Sequence, residues 1–490
     1  MTRCDLLIRN ASIVDGTGSA AVSGDVAVFD GHIEAIGTEL PVLAAAELDA
    51  QGLTLAPGFI DVHTHDDAIV LSDPGMLPKL SQGVTTVITG NCGISASPVS
   101  LRGAPPDPMN LLGDASVFRY PTFRSYVDAV NNATPAVNVA ALVGHTALRS
   151  NHMDRLNRVA TSEEISAMRE QLEEALGAGA VGLSTGLAYL SALSASTEEV
   201  IALAEPLAAA GAIYTTHMRS ETETILDAIE ETFRIGRAAR VPVVISHLKC
   251  AGIANWDRSG EVLATLDAAR ETQPAGCDCY PYAAGSSTLD LRQVDPRVPI
   301  TITWSKPHPE VAGQSLEAIA QAWGLSQVEA ARRLQPAGAI YHSISEQDMR
   351  RILAHPATMI GSDGLPNDPR PHPRLWGTFP RVLGRYCREE KLFPLTTAIH
   401  KMTGMPARRF QLMDRGLIRK GHAADLVLFD PAIIKDRATY SDSTQPSEGI
   451  AAVWVNGVLS YRNGASTGRR AGRFLPRGPR PEGAQSSTLF

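Results

Sequence analysis

Short apolar runs that end in a polar residue recur through the middle of this chain. Eight of them stand out, at 58–63, 85–89, 137–143, 181–184, 212–216, 243–246, 276–280 and 358–361. Between successive runs lie amphipathic stretches of helical period, such as 162–177 and 222–237. Apolar strands alternating with helices predict an α/β fold with a parallel sheet and crossover helices, and eight strands close a (β/α)8 TIM-type barrel. The interval between the seventh and eighth runs is far longer than the others and carries several Pro and Trp residues. It is expected to be an inserted subdomain over 286–340. Emerging from a strand's C-terminal end, it would lie over the barrel mouth as a lid.

The two ends of the chain read differently. Short strands at 5–9, 11–14, 25–29, 32–36 and 53–56 are punctuated by turn pairs such as Asp15-Gly16 and Asp30-Gly31. A matching set returns at 424–430, 451–455 and 458–461, with Asn456-Gly457 as its turn. The expected organisation is a small β-sandwich domain from 1–57 and 415–475, a catalytic barrel over 58–414 and a flexible tail over 476–490.

Bulk composition narrows the class. With 490 residues the chain exceeds what one core supports, and 44% apolar with 20% charged residues is ordinary for a globular enzyme. No uncharged apolar stretch reaches 18 residues, so no membrane span is expected. The net charge of -8 disfavours nucleic acid, and the locally basic stretch 469–480 reads as a solvated end. Six cysteines make no disulfide framework, and Cys277-x-Cys279 has strand spacing. The first residues break their apolar run with charge too early for a signal peptide, so the expected location is the cytoplasm.

The chemistry gathers at run ends. His63 and His65, two apart on an extended strand, share a face and could bind one ion. Alone the pair is weak, because strand histidines are often satisfied by hydrogen bonds. Placement strengthens it: His217, His247 and Asp363 each follow an apolar run, and Cys92 sits in a Gly-Asn-Cys-Gly turn after another. Residues at barrel-strand C-terminal ends are more often catalytic than structural, although capping the next helix is the rival reading and Asp363-Gly364 also suits a turn. His145 ends the third run and is equally open to a supporting or a packing role. Together these positions point to a metal-dependent hydrolase.

The run Pro57-Gly-Phe-Ile-Asp-Val-His-Thr-His65, with His217, His247 and Asp363, resembles the amidohydrolase superfamily. Gly90-Asn-Cys-Gly93, Ser184-Thr-Gly-Leu-Ala-Tyr189, Thr216-His-Met-Arg-Ser-Glu221, Ser246-His-Leu-Lys249, Tyr280-Pro-Tyr282 and Gly361-Ser-Asp-Gly364 resemble its D-aminoacylase group, the N-acyl-D-amino-acid deacylases. The resemblance implies one tightly bound Zn²⁺ on Cys92, His217 and His247, and a second, weaker position at His63 and His65. It implies Asp363 as general base and acid, and Tyr189 as donor to the scissile carbonyl. It further implies Lys249, Tyr280, Ser286 and Arg374 as contacts for the α-carboxylate of a small N-acyl-D-amino acid.

Strand four reads Gly182-Leu-Ser-Thr-Gly186 and offers no lysine for a carboxylated bridging ligand, so Cys92 can take that place. A cyclic-amide hydrolase of the hydantoinase type would want that lysine, and a non-catalytic binding protein on the same barrel is the rival from another class. The substrate side chain is left open between apolar and acidic. Arg292 and Arg297 are candidates for a second carboxylate, against the plainer reading of exposed loop arginines.

Overall fold

Barrel formation follows from the strand pattern. In the computed structural model, which describes residues 3–101 and 103–478, the expected runs become Phe59–Asp61, Val84–Thr89, Asn138–Gly144, Gly182–Gly186, Ile213–His217, Val243–Ile245, Ala275–Cys279 and Thr358–Ile360. They are ordered sequentially in one eight-stranded sheet whose paired neighbours are parallel. A parallel bridge between Thr64 and Gly364 joins its first and last members. Side chains alternate across each strand. Ile60, Ile88, Ala140, Ile213, Val244 and Met359 share the barrel interior, while their neighbours Phe59, Val87, Val139, Tyr214, Val243 and Ile360 pack in the larger outer core.

The insertion has a core of its own. Strands Gly285–Thr288, Ala337–Tyr341 and Ile300–Ser305 form an antiparallel sheet in that spatial order. Helices Leu316–Trp323 and Gln327–Leu334 cover it, burying Ile302, Leu316, Ile319, Leu334 and Ala339. Its first strand carries Ser286, which brings the insertion to the barrel mouth.

Both chain ends build one nine-stranded sheet. Thr54–Pro57 joins the halves: it runs parallel to Arg3–Ile13 and antiparallel to Leu426–Phe429. Ile8, Val26, Leu55, Leu426, Leu428 and Trp454 from both halves share one core. The chain then returns to the barrel, where Phe474 bridges Val139 and Leu475 N donates to Val139 O at 2.7 Å. The tail expected over 476–490 is corrected at its start. Arg477 donates to Ala180 O at 2.6 Å and Gly478 N to Gln411 O at 3.2 Å, so 476–478 are pinned to the barrel. Residues 479–490 lie outside the described residues.

Candidate active site

Most of the candidate side chains sit just past the strand ladders, where turns aim them; His217 instead closes its own strand, paired with Gly186. His63 and His65 follow a strand that ends at Asp61, and His247 and Lys249 follow one that ends at Ile245. Strand periodicity therefore does not orient these pairs, contrary to the expectation. Cys92, His247 and Asp363 adopt left-handed backbone, with φ of 54°, 37° and 50°. Such conformations are strained for residues with a Cβ and persist where surroundings hold them. His247 N donates to Asp278 Oδ1 at 2.8 Å, and Asp363 N donates to His63 O at 2.7 Å. The Cys92 turn rests against strand four, where a Cβ on Gly186 would lie 2.2 Å from Cys92 O.

Cys92 is the hub of the donor set. Its Sγ lies 3.2 Å from His63 Nε2 and 3.2 Å from His247 Nε2. Ligand atoms of Cys92, His217 and His247 lie within 4.8 Å of one another, as do those of His63, His65, Cys92 and Asp363. One thiolate with two imidazoles suits zinc, and two histidines with a carboxylate beside the same sulfur suit a second ion. His65 Nδ1 and His217 Nδ1 are buried polar atoms without a protein partner, which fits a group that completes the site.

Charge tuning supports that fit. Burial alone would push the Cys92 thiol up, but the imidazoles of His63, His247 and His217 hold it well below the usual thiol range. Burial likewise opposes ionisation of Asp363, and Arg374, His63 and His65 overturn it, keeping the carboxyl well below its ordinary value. His65 loses by burial and gains more from Asp363, 3.1 Å away, and from Cys92, so it is raised to about 9.

Two supporting residues were not singled out by sequence reasoning. Asp278 Oδ1 lies 3.2 Å from His63 Nδ1 and also accepts the His247 amide. Glu221 Oε1 lies 3.1 Å from His247 Nδ1 and accepts from Lys249 Nζ at 2.6 Å. Such partners fix the orientation of ligating imidazoles. Glu221 closes the Thr216–Glu221 motif, and Asp278 is the one charge within strand Ala275–Cys279; these were the available signals.

A cavity of about 430 Å³ opens above the cluster, lined among others by Tyr189, His217, Lys249, Tyr280, Ser286 and Arg374. Arg374 is 1% exposed, stacks 4.6 Å over the Tyr280 ring and reaches Asp363 Oδ2 at 2.8 Å. Its Nη2 donates to Ser286 O at 2.9 Å. Arg374 Nε, Tyr280 OH and Ser286 Oγ are buried with no protein partner, and all three residues line the cavity. Tyr189 lies with its ring 4.8 Å from that of His217.

The remaining candidates separate. Arg292 lines the cavity, but its guanidinium is engaged by Asp290 at 2.6 and 3.0 Å and by Ala188 O at 3.1 Å. Arg297 is exposed, paired with Asp295, and does not line the cavity. His145 is fully buried with Nε2 2.9 Å from Glu199, which Arg149 also contacts; it belongs to an internal ion-pair network.

Fold and donor set together define the class, a metal-dependent hydrolase built on the (β/α)8 barrel. Residues 46–461 match the Amidohydrolase family. The chain belongs to that family, in its D-aminoacylase group. It is 50% identical to a D-aminoacylase of Alcaligenes xylosoxydans xylosoxydans, over 96% of this chain and 98% of the relative. It is 48% identical to an N-acyl-D-aspartate deacylase of the same organism, over 97% and 96%. A solved N-acyl-D-glutamate deacylase from Bordetella bronchiseptica, complexed with zinc and a phosphonate inhibitor, superposes with a TM-score of 0.94 at 44% identity, covering 97% of this chain and all of that one. A D-hydantoinase at 15% identity shares the fold, with a TM-score of 0.61.

Proposed function

We propose that this chain hydrolyses N-acyl-D-amino acids to the free D-amino acid and a carboxylate such as acetate. The observation that carries the reading is the set of unused buried donors around Arg374, Tyr280 and Ser286, placed beside Asp363 and the Cys92–His217–His247 cluster. The named activities of the close relatives support it. The hydantoinase alternative lacks its strand-four lysine and is matched here only at the level of fold.

Cys92, His217 and His247 would hold the tight zinc, which supplies Lewis acidity and an acidified water at neutral pH. Arg374 and Lys249, with Tyr280 OH and Ser286 Oγ, bind the substrate α-carboxylate. Tyr189 donates to the scissile carbonyl as charge develops on its oxygen. Asp363 accepts a proton at its carboxylate and returns it to the amide nitrogen, which leaves only as an amine. Substrate binding readies this step: the incoming carboxylate competes for Arg374, and Asp363 loses the cation that suppresses its proton affinity.

His63 and His65 would hold the weaker ion together with Cys92 and Asp363. The insertion serves as the lid, walling the cavity with Ser286, Leu289 and Tyr341 and reaching across through Arg292 to Ala188 O. The division into a terminal β domain (1–57 and 415–475), a barrel (58–414) and the insertion (286–340) is part of the same proposal. So is a cytoplasmic location, which the six free cysteines favour. No helix among the described residues is long and apolar enough to cross a membrane.

For the side chain, the cavity favours an apolar group. Leu111, Leu190, Leu289, Ile344 and Leu365 line it, and its Arg292 is already neutralised by Asp290. Amine release from matched N-acetyl-D- and N-acetyl-L-leucine and glutamate by zinc-loaded protein tests the reading. Turnover of N-acetyl-D-leucine over N-acetyl-D-glutamate and both L forms is expected; no turnover on any of the four would sink it.

A further inference from the structure

The mechanism above leaves Lys79 unused, although its side chain is 1% exposed and pairs with Asp61, two residues before His63. Helix Leu77–Leu80 points its ammonium at Asp61 Oδ2 (2.8 Å), Ser362 Oγ (3.0 Å) and Asp66 Oδ2 (3.2 Å). Burial would strip its proton, but the two carboxylates more than compensate and the ammonium stays charged. A buried ion triad of this kind adds little stability over well-packed apolar side chains, so geometry is the better reason for its presence.

The location supplies that reason. Seven of the eight junctions between neighbouring barrel strands are hydrogen-bonded ladders; between the first and eighth strands the described residues show only the Thr64–Gly364 bridge. The groups on either side of this seam are His63 and His65 on one edge and Asp363 on the other. Around it runs a closed circuit. Ser362 N donates to Asp61 Oδ1 at 2.8 Å, Gly364 N donates to Ser362 Oγ at 3.2 Å, and Asp363 N donates to His63 O. Lys79 donates to both edges, to Asp61 on one and Ser362 on the other.

We propose that Lys79 is a positioning residue that pins the first and eighth strand ends together and so sets Asp363 at working distance from His63 and His65. Its kinetic consequence rests on Asp363 being the proton carrier; its consequence for metal binding does not.

The test uses the full-length zinc-loaded protein, as Lys79→Met and as the double variant Asp61→Asn/Lys79→Met. The double variant removes one of the two buried carboxylates, Asp61 and Asp66, that Lys79→Met leaves without a cation, while the oxygen of the substituted amide can still accept from Ser362 N. Stepwise zinc affinity by chelator competition, thermal unfolding, kcat and KM on N-acetyl-D-leucine are measured. The step held by Cys92, His217 and His247 should be unchanged, while the weaker step at His63, His65 and Asp363 loses roughly tenfold or more. In both variants kcat should fall on the order of 100-fold, as expected for a small misplacement of a reacting group, with KM nearly constant.

The double variant should regain part of the lost thermal stability but neither kcat nor the weak zinc step. Recovery of kcat and the weak zinc step together with stability would overturn the proposal, as would equal weakening of both zinc steps. Should the parent protein turn over no acyl-D-amino acid, the proposed activity fails, and the weak zinc step still decides the role of Lys79.

Discussion

Asp363 stands between Arg374, at 2.8 Å, and His65, at 3.1 Å, and both contacts hold its carboxylate ionised. Asp363→Asn keeps the shape and removes the proton acceptor. The variant should retain zinc on Cys92, His217 and His247 while kcat falls by roughly 10²–10⁴, the usual contribution of a general acid–base group. Arg374, freed of its partner, should bind the substrate carboxylate more readily, so KM falls in the same steady-state series. A rise in KM at constant kcat would instead assign Asp363 to binding. At this scale much was legible, because Cys92, His217, His247 and Asp363 each follow an apolar run and recur within specific motifs. Asp278 was not ranked with them, since its role is a contact to His63, 215 positions away, that no local spacing encodes. Arg292 and Arg297 looked equivalent in sequence and differ only through where the insertion folds.

Among the elements, the turns after barrel strands one, two, six and eight do the aiming, and the support of the site is exposed to test. Glu221, on the segment after strand Ile213–His217, braces His247 and Lys249 together. Glu221→Gln should weaken zinc by roughly 10–100-fold in chelator competition, the typical effect of losing a ligand's hydrogen-bond partner. Unchanged zinc affinity would remove Glu221 from the metal's support.

Helix Thr197–Ala210 is tied to helix His145–His152 by Glu199 with His145 and Arg149. Burial would raise Glu199, but His145 and Arg149 bring it from 4.5 down to about 2. The stability from a depressed carboxyl is present above pH 4.5 and disappears as pH falls toward 2. Glu199→Gln should therefore cost about 3 kcal/mol at pH 7, as removal of one partner from a buried pair does. The gap to the parent should narrow below about pH 4, as read by chemical denaturation at both values. The eight strands could be read from apolar runs of strand length. The insertion's sheet could not, because Gly285–Thr288 pairs with Ala337–Tyr341 across the whole inserted segment.

Over the whole molecule, the metal cluster draws on the ends of strands one, two, five, six and eight, so an ion there cross-links most of the barrel, including its weakly bridged seam. A β-sandwich domain was expected from both ends of the chain; that those ends build one nine-stranded sheet, continuous through Thr54–Pro57, emerges only from pairing on both edges of that strand. An ion that binds only the folded barrel stabilises it by mass action, about 2.7 kcal/mol at 100 times its Kd. Zinc should therefore raise the unfolding temperature, and Cys92→Ala should abolish both that rise and turnover. Because Cys92 and Asp363 also belong to the His63–His65 cluster, further zinc would engage Asp363, the proposed proton carrier. Activity in a zinc titration is thus expected to climb and then decline, with Asp363 occupied in the falling phase. A titration that climbs to a flat plateau, with two ions bound per chain by direct metal analysis, would show that the second ion leaves Asp363 free.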